Sequence, residues 1–260
     1  MDILQQNQFK ALLIGDSCID KYHYGICDRI SPEAPVPVFQ HQYTIENEGM
    51  VLNVANNLRS FGFDVDVWTN EEKIFKERFV DARTKQHLLR SDFGENEKVK
   101  SLDLSKIDDI QNELYDCIII SDYDKGYISP ASIRAILKKF QGTIFVDTKK
   151  RDLSIFKNCI IKINEKEYSK LTNKGIGNDV IITLGSFGAK WKNKVIPTKK
   201  VEVSDVSGAG DTFLAALVYG HMVKNNLEQA IKCANICASV VVQRSGTYAL
   251  NKEDLDEICF

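Results

Sequence analysis

At 260 residues, 27% charged and 43% hydrophobic, the chain has the balance of an ordinary globular protein and the length for one large core. A net charge of -2, with acidic and basic residues mixed throughout, gives no support to a nucleic-acid or polyanion partner. Seven cysteines at scattered spacings, several inside apolar runs, read as reduced buried thiols of a cytoplasmic protein rather than a disulfide framework.

The N-terminal residues show no charged stretch leading into an apolar one, and no apolar run approaches ~18 residues, so neither export nor membrane insertion is expected. Residues 9–14 form a short apolar run ending at Gly15-Asp16. The run predicts a buried strand whose C-terminal end opens into a loop, where open α/β sheets bind ligands, so Asp16 and Asp20 point toward a site. Residues 36–45 begin with two prolines nearby and then alternate polar and apolar residues, and residues 78–91 alternate similarly. Both predict exposed strands able to pair in a small sheet outside the main one. Between them, residues 53–61 carry a helical pattern and residues 65–69 a strand.

Further strands are predicted at 117–121, 144–147, 160–164 and 180–185, with a helix at 130–140, an apolar-periodic stretch at 214–222 and a last helix from Asn226 to about Gln243. Continuous Val/Ile-rich strands alternating with helices predict an α/β fold, a mostly parallel sheet covered on both faces, within a single domain. Cys233 and Cys237 stand four apart on the last helix, but no second ligand pair lies nearby, which favours packing over a metal site.

The chemistry concentrates at Asp205-Val206-Ser207-Gly208-Ala209-Gly210-Asp211-Thr212-Phe213. Small residues ahead of a helix let the N–H groups of Gly208, Ala209 and Gly210 converge on an anion that the helix dipole already favours. A carboxylate there would repel phosphate, so Asp211 needs a reason, and a general base that takes a proton from an attacking hydroxyl supplies one. A helix simply capped by Ser207 or Asp211 is the plainer alternative.

This segment resembles the DTxGAGD signature of the ribokinase-like (PfkB) carbohydrate kinases. Residues 15–22 (GDSCIDKY), 29–38 (RISPEAPVPV) and 121–126 (SDYDKG) most resemble the heptose 7-phosphate kinase half of the bifunctional ADP-heptose synthases. The resemblance implies a ribokinase-like fold, a β lid formed by strands 36–45 and 78–91 and often used for dimerisation, and ATP-dependent phosphorylation of a sugar or sugar phosphate. Asn164 and Glu167 resemble the family's NxxE motif for Mg²⁺, although a helix cap has the same pattern. Thr183, Gly185 and Gly188 resemble its nucleotide segment, although a bare hairpin would look alike. With Ser207 they would bind ATP, and Asn235, Ser239 and Gly246 fall where relatives line the adenine pocket, core packing being the alternative for each.

Asp16, Asp20 and Asn53 match positions that hold sugar hydroxyls, a task suited to carboxylates and amides. Lys125, Lys149 and Arg90 are candidates for a phosphate already on the sugar, against a default of solvated surface cations. Two departures stand out. Residues 70–77 replace a further helix and strand of the relatives, which implies a sheet trimmed at one edge, and Met50-Val51-Leu52 stands where the family has small residues. A kinase for a nucleoside or fructose-type phosphate, and a catalytically silent scaffold, are the alternative functions.

Overall fold

The computed structural model describes residues 9–94, 99–244 and 246–258. The chain opens with β1 (Lys10–Gly15), β2 (Ser17–Ile26), β3 (Gln40–Met50), α1 (Val51–Ser60), β4 (Asp64–Thr69), β5 (Phe75–Asp81) and β6 (His87–Phe93). It continues through α2 (Leu104–Asp108), β7 (Cys117–Asp122), α3 (Pro130–Lys139), β8 (Thr143–Thr148), β9 (Ile160–Asn164), α4 (Glu165–Ser169), β10 (Asp179–Thr183), β11 (Ala189–Trp191) and β12 (Lys194–Ile196). Helices α5 (Ala209–Lys224), α6 (Leu227–Val241) and α7 (Lys252–Glu257) close it.

Eight strands form one sheet in the order β12-β11-β10-β9-β8-β7-β1-β4, parallel from β10 to β4, with β11 and β12 an antiparallel extension. Both faces are buried, which is why its strands read as unbroken apolar runs. Along β1 the side chains alternate between two cores. Leu13 joins Val54, Leu58, Leu214 and Ala234 under α1, α5 and α6, and Leu12 and Ile14 join Ile107, Ile133 and Ile136 under α2 and α3. The six parallel strands end on one side of the molecule and carry Gly15, Asp122, Thr148, Asn164 and Thr183 there, a ligand-binding edge in open α/β sheets.

The second sheet is the lid, in the order β3-β2-β5-β6, and here the structure corrects the sequence reading. No loop opens after Gly15: the chain passes Asp16 and runs on as the ten-residue β2, the lid's inner strand. The two predicted lid strands therefore do not pair with each other, since β2 lies between β3 and β5. Residues 78–91 are not one strand but a hairpin of β5 and β6, turned where the Asp81 carboxylate accepts the N–H groups of Arg83 and Thr84, both at 2.9 Å. The prolines at 35 and 37 keep β3 from starting before Gln40. β4 is an edge strand, consistent with the trimming expected after Thr69. Among the described residues no helix is long and apolar enough to cross a membrane, and the described cysteines are free thiols.

Candidate active site

Helix α5 begins at a left-handed Gly208 (φ 80°), a conformation open to glycine without strain, and a Cβ there would lie 2.8 Å from Asn53 Nδ2. The first helical bond runs from Thr212 N–H to Gly208 C=O at 3.0 Å, so the N–H groups of Gly210 and Asp211 are free of the helix ladder. Ala209 departs from expectation: its N–H turns back onto the Val206 carbonyl at 3.3 Å and is diverted from the anion hole. Asp211, 5% exposed, receives a hydrogen bond on Oδ2 from Asn53 (2.9 Å) and one on Oδ1 from the Tyr123 hydroxyl (2.6 Å). Burial raises its pKa, against the pull of these two donors and of the Lys162 ammonium. A carboxylate with raised basicity at a helix N-terminus is suited to accept a proton.

Three groups here escaped the sequence reading. Lys162, 5% exposed on β9, pairs at 2.7 Å with Asp147, its register neighbour on β8. Its ammonium stands 2.9 Å from where a Cβ of Gly210 would lie, so a larger residue at 210 would push the lysine head aside. Burial lowers the Lys162 pKa, but Asp147 outweighs that and holds the net shift upward. The signal was present: a lysine interrupting the apolar run of residues 160–163 has no packing reason to be there. Tyr123 and Lys76 carried no such mark.

Tyr123 lies on the loop after β7. Asp16 fastens that loop, its carboxylate accepting the N–H groups of Tyr123 (2.8 Å), Lys125 (3.3 Å) and Tyr127 (3.3 Å). Asp16 is wholly buried, and with its oxygens so engaged it shapes the site rather than meeting a sugar. The consecutive lysines at the end of β8 diverge. Lys150 pairs with Asp122 (3.2 Å) and Asp124 (2.8 Å), whereas Lys149 places its ammonium 4.4 Å from the Tyr123 ring centroid and Lys76 places its own at 5.4 Å. The Lys149 pKa is lowered by burial and then by Lys76, with Lys125 adding to the same effect, an electrostatic state that an anion would relieve.

On the lid, Asp20 holds Arg78 at 2.6 Å in a buried pair. Arg90, the register partner of Arg78 on the edge strand β6, is on the same face but more exposed, and is engaged by Asp92 in a two-pronged contact of 2.7 and 2.8 Å, so Arg78 is the more buried arginine of the two. Asn53, by contrast, reaches Asp211 directly.

Beside the α5 N-terminus opens a cavity of about 480 Å³, lined among others by Thr183, Gly185, Gly188, Ala209, Gly210, Asn235 and Ser239. Its apolar wall comprises Val201, Val203, Val206, Ala238 and Val242. This shape suits a planar heterocycle leading to phosphates at Gly210. Asn235 directs its amide to the carbonyls of Ile196 (2.9 Å) and Pro197 (3.4 Å), tying α6 to the end of β12, and Ser239 bonds back to Ile236 at 2.7 Å. Two expected lining residues lie elsewhere. Ser207 and Gly246 give their N–H groups to the two oxygens of Asp205, at 2.9 and 3.0 Å, which brings Gly246 against the Tyr22 ring under the lid. Although burial raises the Asp205 pKa, these donors hold it net below the usual range.

Asn164 and Glu167 make a reciprocal capping box at the start of α4: Asn164 Oδ1 accepts from the Glu167 N–H (2.8 Å) and Glu167 Oε2 from the Asn164 N–H (3.1 Å). The cap orients the Glu167 carboxylate without exhausting it. Among the described residues no group of three or more His, Cys, Asp and Glu could hold a metal. A single oriented carboxylate such as Glu167 suits a hard cation that keeps most of its coordination as water or ligand oxygens.

Comparisons with known proteins bear on the fold and the family. The model of the pfkB family of carbohydrate kinases matches residues 128–254. The chain is 32% identical over 304 residues to the Bifunctional protein HldE of a Nitratiruptor species, a match covering 95% of this chain and 64% of that protein. The chain thus spans less than two thirds of that relative, and an aligned span longer than the chain's 260 residues means the relative carries segments that are absent here. Among solved structures, Escherichia coli Phosphofructokinase-2 in complex with substrates and products superposes with a TM-score of 0.71 at 16% identity, covering 97% of this chain and 98% of that one. Arabidopsis thaliana ribokinase complexed with ribose and ATP gives 0.66 at 17%, covering 96% and 98%. At these identities the likeness is one of fold.

Proposed function

We propose, from the premise that the chain belongs to the pfkB family of carbohydrate kinases, that it moves the γ-phosphoryl group of ATP onto a hydroxyl of a sugar already bearing a phosphate. The single observation carrying this reading is the position of Asp211, at the head of α5 between the apolar-walled cavity on one side and Asn53 and Tyr123 on the other. A hydroxyl placed against Asp211 gives up its proton as its oxygen attacks the γ-phosphorus; one P–O bond forms, the bond to the β-phosphate oxygen breaks, and ADP leaves. The N–H groups of Gly210 and Asp211, with Lys162 beneath them, meet the charge that builds on the moving phosphoryl group. Mg²⁺, when bound through Glu167 with Asn164 behind it, supplies neutralisation of the phosphates.

Lys149 and Lys76, flanking the Tyr123 ring, offer cationic partners for the sugar's own phosphate, and Asp20 with Arg78 forms the polar inner face of the lid above it. A heptose 7-phosphate is the first candidate, given the resemblance carried by residues 15–22, 29–38 and 121–126. The departure at Met50-Val51-Leu52 favours a sugar of altered shape. A second copy of the chain would cover the exposed lid side chains Tyr43, Ile45, Leu88, Leu89 and Phe93. The test is ADP release across a panel of sugar phosphates, the matching unphosphorylated sugars and nucleosides. The reading predicts turnover confined to phosphorylated sugars. ADP release with nucleosides or plain sugars alone contradicts it.

A further inference from the structure

The loop after β7 does more than border the site, and what it does rests on the kinase reading above. Tyr123 touches both Asp211 and the cations: its hydroxyl donates to Asp211 Oδ1 at 2.6 Å, and its ring centroid lies 4.4 and 5.4 Å from the Lys149 and Lys76 ammonium groups. We infer that Tyr123 is a positioning residue that couples recognition of the sugar's own phosphate to the orientation of the Asp211 base.

Three physical features support the coupling. Two ammonium groups near each other repel, and the negative face of an aromatic ring is a neutral means of seating them without cancelling the charge that the phosphate needs. A carboxylate partner in its place would compete with that phosphate. The phenol is also a donor that does not switch: burial first, and then the neighbouring Asp211, raise the Tyr123 pKa well above its ordinary value, so its proton stays in place at any working pH. Finally, the loop cannot drift, because Asp16 holds three of its N–H groups and the Lys149 N–H bonds to the Asp122 carbonyl at 3.0 Å. A displacement of the ring by an arriving phosphate therefore passes to the hydroxyl, and through it to Asp211.

The titratable groups around Asp211 are Tyr123, Lys162 on β9, Asp147 on β8 and Cys18 on β2. Of these, only Tyr123 is altered by a Tyr123→Phe change, which keeps the ring and removes one donor to the carboxylate. Loss of a donor to the charged form raises a carboxylate pKa, so the acid limb of the rate profile moves to higher pH.

The experiment is steady-state kinetics against pH for the parent, Y123F and Y123L, using the sugar phosphate with the highest turnover in the parent. Y123F is expected to lower kcat roughly 10- to 100-fold, as misplacement of a reacting group does, with KM for the sugar phosphate nearly unchanged and the acid limb displaced upward by about one pH unit. Y123L, which also removes the ring, is expected to raise KM for the sugar phosphate about tenfold or more beyond Y123F, with KM for ATP unchanged in both. A purely structural tyrosine would lower thermal stability and leave the acid limb where it was. Y123F with the parent's kcat and acid limb, or Y123L with the same sugar-phosphate KM as Y123F, overturns the inference while leaving the kinase reading intact. A parent inactive on every sugar phosphate overturns that reading, and the inference with it.

Discussion

Asp211 shows what the active site costs the fold. Its folded pKa lies above the unfolded value because burial disfavours the charge. Its contribution to stability is therefore fully present below the ordinary carboxylate pKa and is lost as pH rises through the folded value, so at neutral pH the ionised group is a burden. Asp211→Asn should lower turnover by roughly 10² to 10⁴ while leaving Tm equal to the parent's or higher; calorimetry and ADP release on one preparation check both, and comparable turnover in the two proteins would remove Asp211 from the mechanism. The same raised pKa puts the acid limb of the parent's activity above the ordinary carboxylate range of about 4. Asp211 was legible because its neighbours form a local motif. Lys162, Asp147 and Tyr123 come to it through strand register and loop geometry, with Lys76 one step further out against the Tyr123 ring, and no short window of sequence encodes that assembly.

At the scale of elements, the capping box of α4 separates two roles of Glu167. Glu167→Gln keeps a side-chain acceptor for the Asn164 N–H, so α4 should persist by circular dichroism, while the Mg²⁺ concentration for half-maximal activity should rise; an unchanged metal titration would confine Glu167 to capping. Met50, at the junction of β3 and α1, adopts φ 56° and is buried in the core cluster that includes Ile74, from the shortened segment after Thr69, and Cys18. A large side chain at a positive φ stays there only if its burial outweighs the backbone strain, which is of order 1–3 kcal/mol. Met50→Gly relieves the strain but deletes the side chain, a loss of about 2–5 kcal/mol in a closed core, so urea denaturation should show net destabilisation. Equal stability together with turnover of ordinary heptose 7-phosphate would make Met50 a pocket wall instead. The main sheet was legible because strands buried on both faces are continuously apolar, and α5 because it follows the glycine turn. β2 was not, since Asp20, Lys21 and His23 give it the polarity of a loop, and its partners come from residues 40–50 and 75–81, on either side of α1 and β4.

At the scale of the whole molecule, the arrangement is a sheet with its ligand edge under a lid, and the two halves of the site come from opposite sides of it. Asp211, the glycine turn and the apolar-walled cavity belong to the sheet, α5 and α6, and Asp20, Arg78 and Lys76 belong to the lid strands. With the lid's apolar side chains exposed, sedimentation at micromolar concentration should report a dimer, and Leu89→Glu should shift it toward monomer; a monomeric parent would contradict the shared lid. The central claim is that this assembly transfers a phosphoryl group to a phosphorylated sugar. Its most direct test follows label from γ-³²P-ATP into a sugar phosphate such as heptose 7-phosphate, in the parent and in Asp211→Asn side by side. The account predicts a labelled bisphosphate from the parent, dependent on divalent metal and nearly absent in the variant; no labelled sugar from the parent across the phosphorylated panel, or equal label from both proteins, would contradict it.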